Sequence, residues 1–250
     1  MDNNINIEIC CGSALDVATA AAGGAQRAEL SSCLYFGGLT PSLGSVRAAS
    51  GYGIPVMAMI RPREGDFCYN TLEKKVMLED AALMLENGAS GIVFGALTDG
   101  GEIDVGLCRE LAAISAGREM VFHRAFDLLQ HNWQKSLSIL IDIGITRVLT
   151  SGFEKTAILG AQKIIEMAEF ASGAIEILPG GGIRAENISA FCTLTGCKWV
   201  HTSAGQLWMP DTGEELSDKI SFTPSQPAKR GHGLVSEDAV RKITKEVRGK

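Results

Sequence analysis

Eight times along this chain a short apolar run is followed by a segment of helical period, and few folds accommodate such a pattern. The apolar runs lie at 5–11, 27–32, 55–60, 91–97, 119–123, 147–151, 175–178 and 199–203. The helical segments follow at 13–22, 41–50, 71–87, 105–115, 133–143, 156–170, 185–194 and 237–247. A helix between two strands carries the chain back to the starting edge, so successive strands pair in parallel. An open doubly wound sheet shares this local grammar. Eight units in 250 residues instead predict a single-domain TIM (β/α)8 barrel, whose usual length is roughly 250 residues. Residues 1–205 hold all eight strands, and 206–250 read as a loop-rich extension with a last helix that completes the same domain.

The helix ends are marked by side-chain chemistry. Ser13 with Asp16, Thr40 ahead of Pro41, Asn70 with Glu73, and Ser236 are the expected N-terminal caps. Gly23-Gly24, Gly88 and Gly144 are the stops. Between the eighth strand and the last helix, Pro210, Pro224 and Pro227 predict loop, although Gln206-Leu207-Trp208-Met209 has the look of ordered structure.

Charge narrows the partners. Lys and Arg total 23 against 29 Asp and Glu, a net charge of −6, so no general basic field draws the chain to nucleic acid or to an anionic membrane. No apolar run approaches the roughly 20 residues a membrane span needs. Met1-Asp2-Asn3-Asn4 lacks the basic-then-apolar order of an export signal. Seven scattered cysteines without a CxxC pair fit a reducing cytosol, with no disulfide framework and no structural zinc site.

In a barrel, chemistry collects where strands run into their following loops. Those positions supply Glu8 and Cys10, then Glu29 and Ser31, with the two-residue period of a strand placing each pair on one side. Next come Arg61 and Arg63 around Pro62, then His123, Arg124 and Asp127 in the densest polar stretch, Ser151, and His201 with Ser203. Gly180-Gly181-Gly182 lets the backbone approach a ligand and, with Ser203-Ala204-Gly205, stands where barrels often hold a phosphate. Arg61, Arg63, Arg124, Ser151, Gly180, Gly181, Gly182 and Ser203 are thus candidate anion holders. Salt bridges from the arginines to Glu64 or Asp66, and an Arg124–Asp127 pair, are the plain structural alternatives.

Glu8, Glu29, His123 and Asp127 are candidate acid–base groups. No lysine lies inside a predicted strand near its C-terminal end, which removes Schiff-base chemistry. Nothing calls for an organic cofactor. Two readings remain: an enzyme acting by acid–base chemistry on a small anionic or phosphorylated metabolite, or a metal protein using Glu8, Glu29, His123 and His201 for a divalent ion or thiols for Cu(I).

The chain resembles the CutC copper homeostasis family up to about Gly205. The resemblance is carried by Glu8-Ile9-Cys10, Arg27-Ala28-Glu29-Leu30, Gly37-Gly38-Leu39-Thr40-Pro41-Ser42 and Met59-Ile60-Arg61-Pro62-Arg63-Glu64-Gly65-Asp66-Phe67. Phe122-His123-Arg124-Ala125-Phe126-Asp127, Leu149-Thr150-Ser151-Gly152 and the glycine triplet complete it. It implies a TIM barrel, a cytosolic homo-oligomer of two or more copies, and a copper role with Cu(I) held by cysteine. Many members carry a second cysteine directly after the Glu-Leu of the second strand, where this chain has Ser31; Cys33 lies two residues on. Cys10, joined by Cys33, is the thiol set so implied, and His201 joins the metal-ligand candidates from its place on the eighth strand.

Overall fold

The computed structural model describes residues 5–129, 132–209 and 232–248. Eight parallel strands form one sheet: β1 (Asn6–Cys11), β2 (Arg27–Leu30), β3 (Val56–Met59), β4 (Gly91–Phe94), β5 (Glu119–Phe122), β6 (Arg147–Thr150), β7 (Glu176–Pro179) and β8 (Trp199–Thr202). Each strand pairs with its neighbours in sequence, β8 returns to β1, and a parallel bridge between Gly180 and His201 brings β7 against β8 to close the ring. The predicted barrel is the fold.

Among the described residues eight α-helices surround it: α1 (Ala14–Ala22), α2 (Leu43–Ala49), α3 (Thr71–Glu86), α4 (Val105–Ser115), α5 (Trp133–Ile143), α6 (Ala161–Ala171), α7 (Ile188–Thr195) and α8 (Glu237–Arg248). Ser13 caps α1, and Asn70 with Glu73 builds a full capping box on α3, as the sequence predicts. Several strands are shorter than expected, β4 ending at Phe94 rather than 97, and three helix starts differ from expectation. α2 starts after Ser42, whose hydroxyl accepts the Ser45 N–H, while Thr40 is drawn instead into two hydrogen bonds with the Arg61 backbone. α6 starts at Ala161 rather than 156, because Gly160 packs against the Ser151–Gly152 backbone too closely for any side chain. α7 starts at Ile188 rather than 185, leaving 185–187 as turn.

The extension adds one element that the proline-rich pattern hid. Gln206–Met209 (β9) pairs antiparallel with His232–Val235 (β10), a two-stranded ribbon between β8 and α8. Pro210, Pro224 and Pro227 lie outside the described residues. Two contacts fasten the ribbon and α8 to the start of the barrel. Asp16 accepts the N–H groups of Gly12 and Val235 on its two carboxylate oxygens, and Thr244 bonds the Gly23 carbonyl.

The strand period of two splits the barrel into an outer and an inner set. Ile7, Ile9, Ala28, Leu30, Ala58, Ile92, Phe94, Phe122 and Val148 face the helices and form the large core. Met57, Met59, Val93, Val121, Leu149 and Leu178 form a separate cluster in the lumen, with Trp199 packed against it. At the N-terminal end of the lumen, Arg27 donates to Glu8 and lies 3.9 Å from Glu176. Arg147 reaches Glu176 at 3.0 Å and grips both oxygens of Glu119 at 2.7 and 3.0 Å. Both guanidinium groups stack on the Trp199 ring, at 3.9 and 5.9 Å. This network is the barrel floor, and the opposite end is its mouth.

Candidate metal centre at the barrel mouth

Strand register brings together residues that are far apart in sequence. Glu8 stands beside Arg27 on one side and His201 on the other, and Cys10 stands beside Glu29. One donor atom from each of Cys10, Glu29 and His201 lies within 4.8 Å of the other two. The Cys10 thiol faces Glu29 Oε1 at 3.8 Å, while Glu29 Oε2 is buried without a hydrogen-bond partner among the described residues.

Behind this trio stands Glu8, fully buried and holding two partners at once. Its Oε2 accepts from Arg27, and its Oε1 lies 2.7 Å from His201 Nδ1. Fixing Nδ1 leaves Nε2 as the ring's free nitrogen, the way carboxylates orient metal-ligating histidines. Burial alone would raise the Glu8 carboxyl, but Arg27 and His201 outweigh it and hold the pKa down at about 2. His201 is pushed the opposite way: burial disfavours its charge, and Glu29, the Cys10 thiol and Glu8 together raise its pKa well above the usual value. Burial raises both Cys10 and Glu29, each opposed in part by His201. The trio therefore sits in a dry place with its protons tightly held, and a cation bound there would have to displace one proton from the thiol and one from the His201 ring.

The other sequence candidates are distributed around the mouth. Cys33, exposed and left-handed at φ 50°, stands outside the trio. Cys11 faces outward into the helix-side core. Arg61 is buried, with its two terminal nitrogens on the carbonyls of Phe36, Gly38 and Gly65 at 2.8–3.1 Å; it ties three pieces of loop together and meets neither Glu64 nor Asp66. Arg63 is the arginine that forms ion pairs, with Asp66 at 3.0 Å and Glu73 at 2.6 Å. In Asp127 both carboxylate oxygens are in use, accepting from Thr150, Ser151, Phe153 and Arg124, so it clamps the β5 loop onto the end of β6.

Arg124 also donates to Ser151 Oγ at 2.6 Å and lays its other terminal nitrogen over Gly181. Gly180 closes the ring; Gly181 and Gly182 take φ of 100° and 76°, which a side chain would strain. Their carbonyls are engaged by Ala157 and Asn187, and the Arg184 N–H is taken by the Asn187 side chain, so the run does not open directly onto a helix N-terminus. Ser203 lies half-buried just past β8.

His123 caps a short 3₁₀ turn (Arg124–Leu128), its Nδ1 accepting the Ala125 N–H at 3.1 Å. Burial, then the nearby Arg61 charge, pulls its pKa down to about 3, so the ring is neutral. Gly95 leaves the space the ring occupies, since a Cβ there would overlap it. Sequence reading missed the floor residues Arg27, Glu119, Arg147, Glu176 and Trp199. Their signal was present: each occupies the first position of its strand, on the lumen-facing parity.

With the geometry described, comparison with known proteins gives a consistent answer. The CutC family profile matches residues 5–206. A CutC family protein of Treponema denticola is 50% identical over 202 residues, 80% of this chain and 82% of that protein. The human copper homeostasis protein cutC homolog is 42% identical over 203 residues, 81% of this chain and 74% of the relative. A crystal structure of CutC from Streptococcus agalactiae superposes with a TM-score of 0.76 at 36% identity, covering 80% of this chain and 98% of the other. The chain belongs to the CutC family.

Proposed function

We propose that this protein binds Cu(I) at the barrel mouth, through Cys10 and His201 with Glu29 alongside, and serves copper homeostasis in the cytosol. The observation that carries the reading is the convergence of one sulfur, one imidazole nitrogen and one carboxylate oxygen within 4.8 Å. A thiolate with an imidazole suits a soft monovalent ion of low coordination number, and the carboxylate adds little to Cu(I) affinity, which favours sulfur and nitrogen. Ser31 takes the place where the family resemblance implies a second thiol, so the donor set is mixed rather than dithiolate. The naming of the human relative as a copper homeostasis protein supports the assignment. Seven free cysteines are consistent with a reducing compartment.

Titration of reduced protein with Cu(I) against a competing chelator tests this directly. The parent should bind one equivalent, and Cys10→Ala and His201→Ala should each lose most of that affinity. Glu8→Gln should weaken it by about 10–100-fold through the orientation of His201. Cys33→Ala should bind like the parent. A Cys10→Ala protein that holds Cu(I) as tightly as the parent rules out this site.

A further inference from the structure

Beside the metal trio, the mouth holds a corner whose chemistry the copper reading does not use. Arg61 is 5% exposed, yet among the described residues no carboxylate lies within ion-pair distance of it. Its terminal nitrogens are balanced only by carbonyl dipoles. A buried guanidinium without a counter-ion is costly unless a ligand supplies the negative charge.

Besides Arg61 Nε itself and the Tyr69 hydroxyl, two neighbouring groups are buried without a partner among the described residues: His123 Nε2 and Ser31 Oγ. Both can donate. Because His123 Nδ1 accepts the Ala125 N–H, the proton of the neutral ring must sit on Nε2. The three side chains form one locale. Phe67 packs against both His123, with centroids 4.7 Å apart, and Arg61, at 4.9 Å. The Gly37–Gly38 turn bridges Arg61 to Ser31: the Gly38 carbonyl accepts Arg61 Nη1 at 3.1 Å, and a Cβ on Gly38 would lie 3.1 Å from Ser31 Oγ. Ser31, Arg61 and His123 also continue the lumen-facing parities of Glu29, Met59 and Val121.

We propose that this corner binds a small oxyanion, a carboxylate or phosphate group of a metabolite, with His123 Nε2–H and the Ser31 hydroxyl as donors and Arg61 as the fixed positive charge. Arg61 acts here by its charge and by holding the loops, since its terminal nitrogens are committed to the backbone. The corner meets the copper site along β2, where Ser31 lies two residues past Glu29, but uses none of the three copper donors.

The test uses full-length, metal-free protein at constant ionic strength, with inorganic phosphate, malonate and phosphoglycolate as probes and chloride as the reference anion. Calorimetry gives affinity, and histidine-selective ¹H–¹⁵N spectra follow the His123 Nε2–H. At least one probe should bind saturably at one site and shift that resonance. Ser31→Ala and His123→Gln should each weaken binding by about tenfold or more, the value of a hydrogen bond to a charged group. Both variants should keep parent-like Cu(I) affinity, so loss of one site is distinguishable from loss of the other. The proposal is overturned if no probe binds saturably or if a bound probe leaves the His123 resonance unmoved. It is also overturned if either variant, shown folded by its thermal melt, retains parental affinity.

Discussion

His123 shows how one backbone contact can decide what a side chain does. The 3₁₀ turn after β5 presents the Ala125 N–H to Nδ1, which fixes the tautomer, and burial keeps the ring neutral. That has a consequence for stability. A histidine with an ordinary pKa near 6.5 when unfolded and about 3 when folded binds fewer protons in the folded state between those values. Its contribution is therefore fully present above pH 6.5 and is lost as pH falls toward 3, at up to roughly 1.4 kcal/mol per pH unit. Denaturant unfolding of the parent and His123→Gln across this window should show the parent's slope reduced in the variant. Parallel curves would contradict the neutral, buried ring. Of the residues that meet at the mouth, Glu8, Cys10, Glu29, His123 and His201 were legible in the sequence from strand-end position and parity. Their roles were not, because whether a carboxylate is a ligand, a base or a brace depends on which partners lie within 3 Å.

At the level of elements, the eight strands and eight helices were legible because burial on one face imposes a period, and the period is written in the residues. Boundaries were less legible where tertiary contacts intervened. Thr40 would cap a helix in isolation, but the Arg61 backbone claims its hydroxyl and Ser42 takes over. Gln206–Met209 looked ordered in the sequence, but its pairing with His232–Val235 was not legible because 22 residues separate the two strands, a distance over which no local pattern reports pairing. The last helix closes the ring of helices by packing on the C-terminal end of α1. A Cβ on Gly23 would lie 2.5 Å from Val240 Cβ and Cγ1. Gly23→Ala should accordingly destabilise the fold by about 1–3 kcal/mol through overpacking, with Val240→Ala restoring part of the loss. Chemical denaturation of the single and double variants measures this, and additive losses would show that the contact is not shared.

For the whole molecule, the two ends of the lumen carry opposite assignments. The floor is an ion-pair network around Trp199 in which Arg27 and Arg147 meet Glu8, Glu119 and Glu176, so it specifies how the strands stack. Among the described residues the mouth holds most of the unpartnered buried groups, Arg27 Nη2 in the floor being the exception, which is the distribution expected of a barrel that works at the C-terminal ends of its strands. The helical layer around the barrel extends past the region that defines the family. Val235, Val240, Ile243 and Val247 are buried in the same core as β1 and α1. A chain ending at residue 205 should lose cooperative thermal unfolding and bind a hydrophobic dye, and a parent-like melting temperature would show that the extension is dispensable. The sequence by itself determined the alternation of elements, the barrel and the family, because these follow from periodicity and from contiguous motifs. Only the tertiary structure decided that Arg61 is buried with no ion pair among the described residues while Arg63 is paired, that Asp127 is a clamp, and that His201 joins Cys10 across 191 positions. The reason is physical: closing a barrel sets first and last strands side by side, and partner choice within it is fixed by distances that no local pattern encodes.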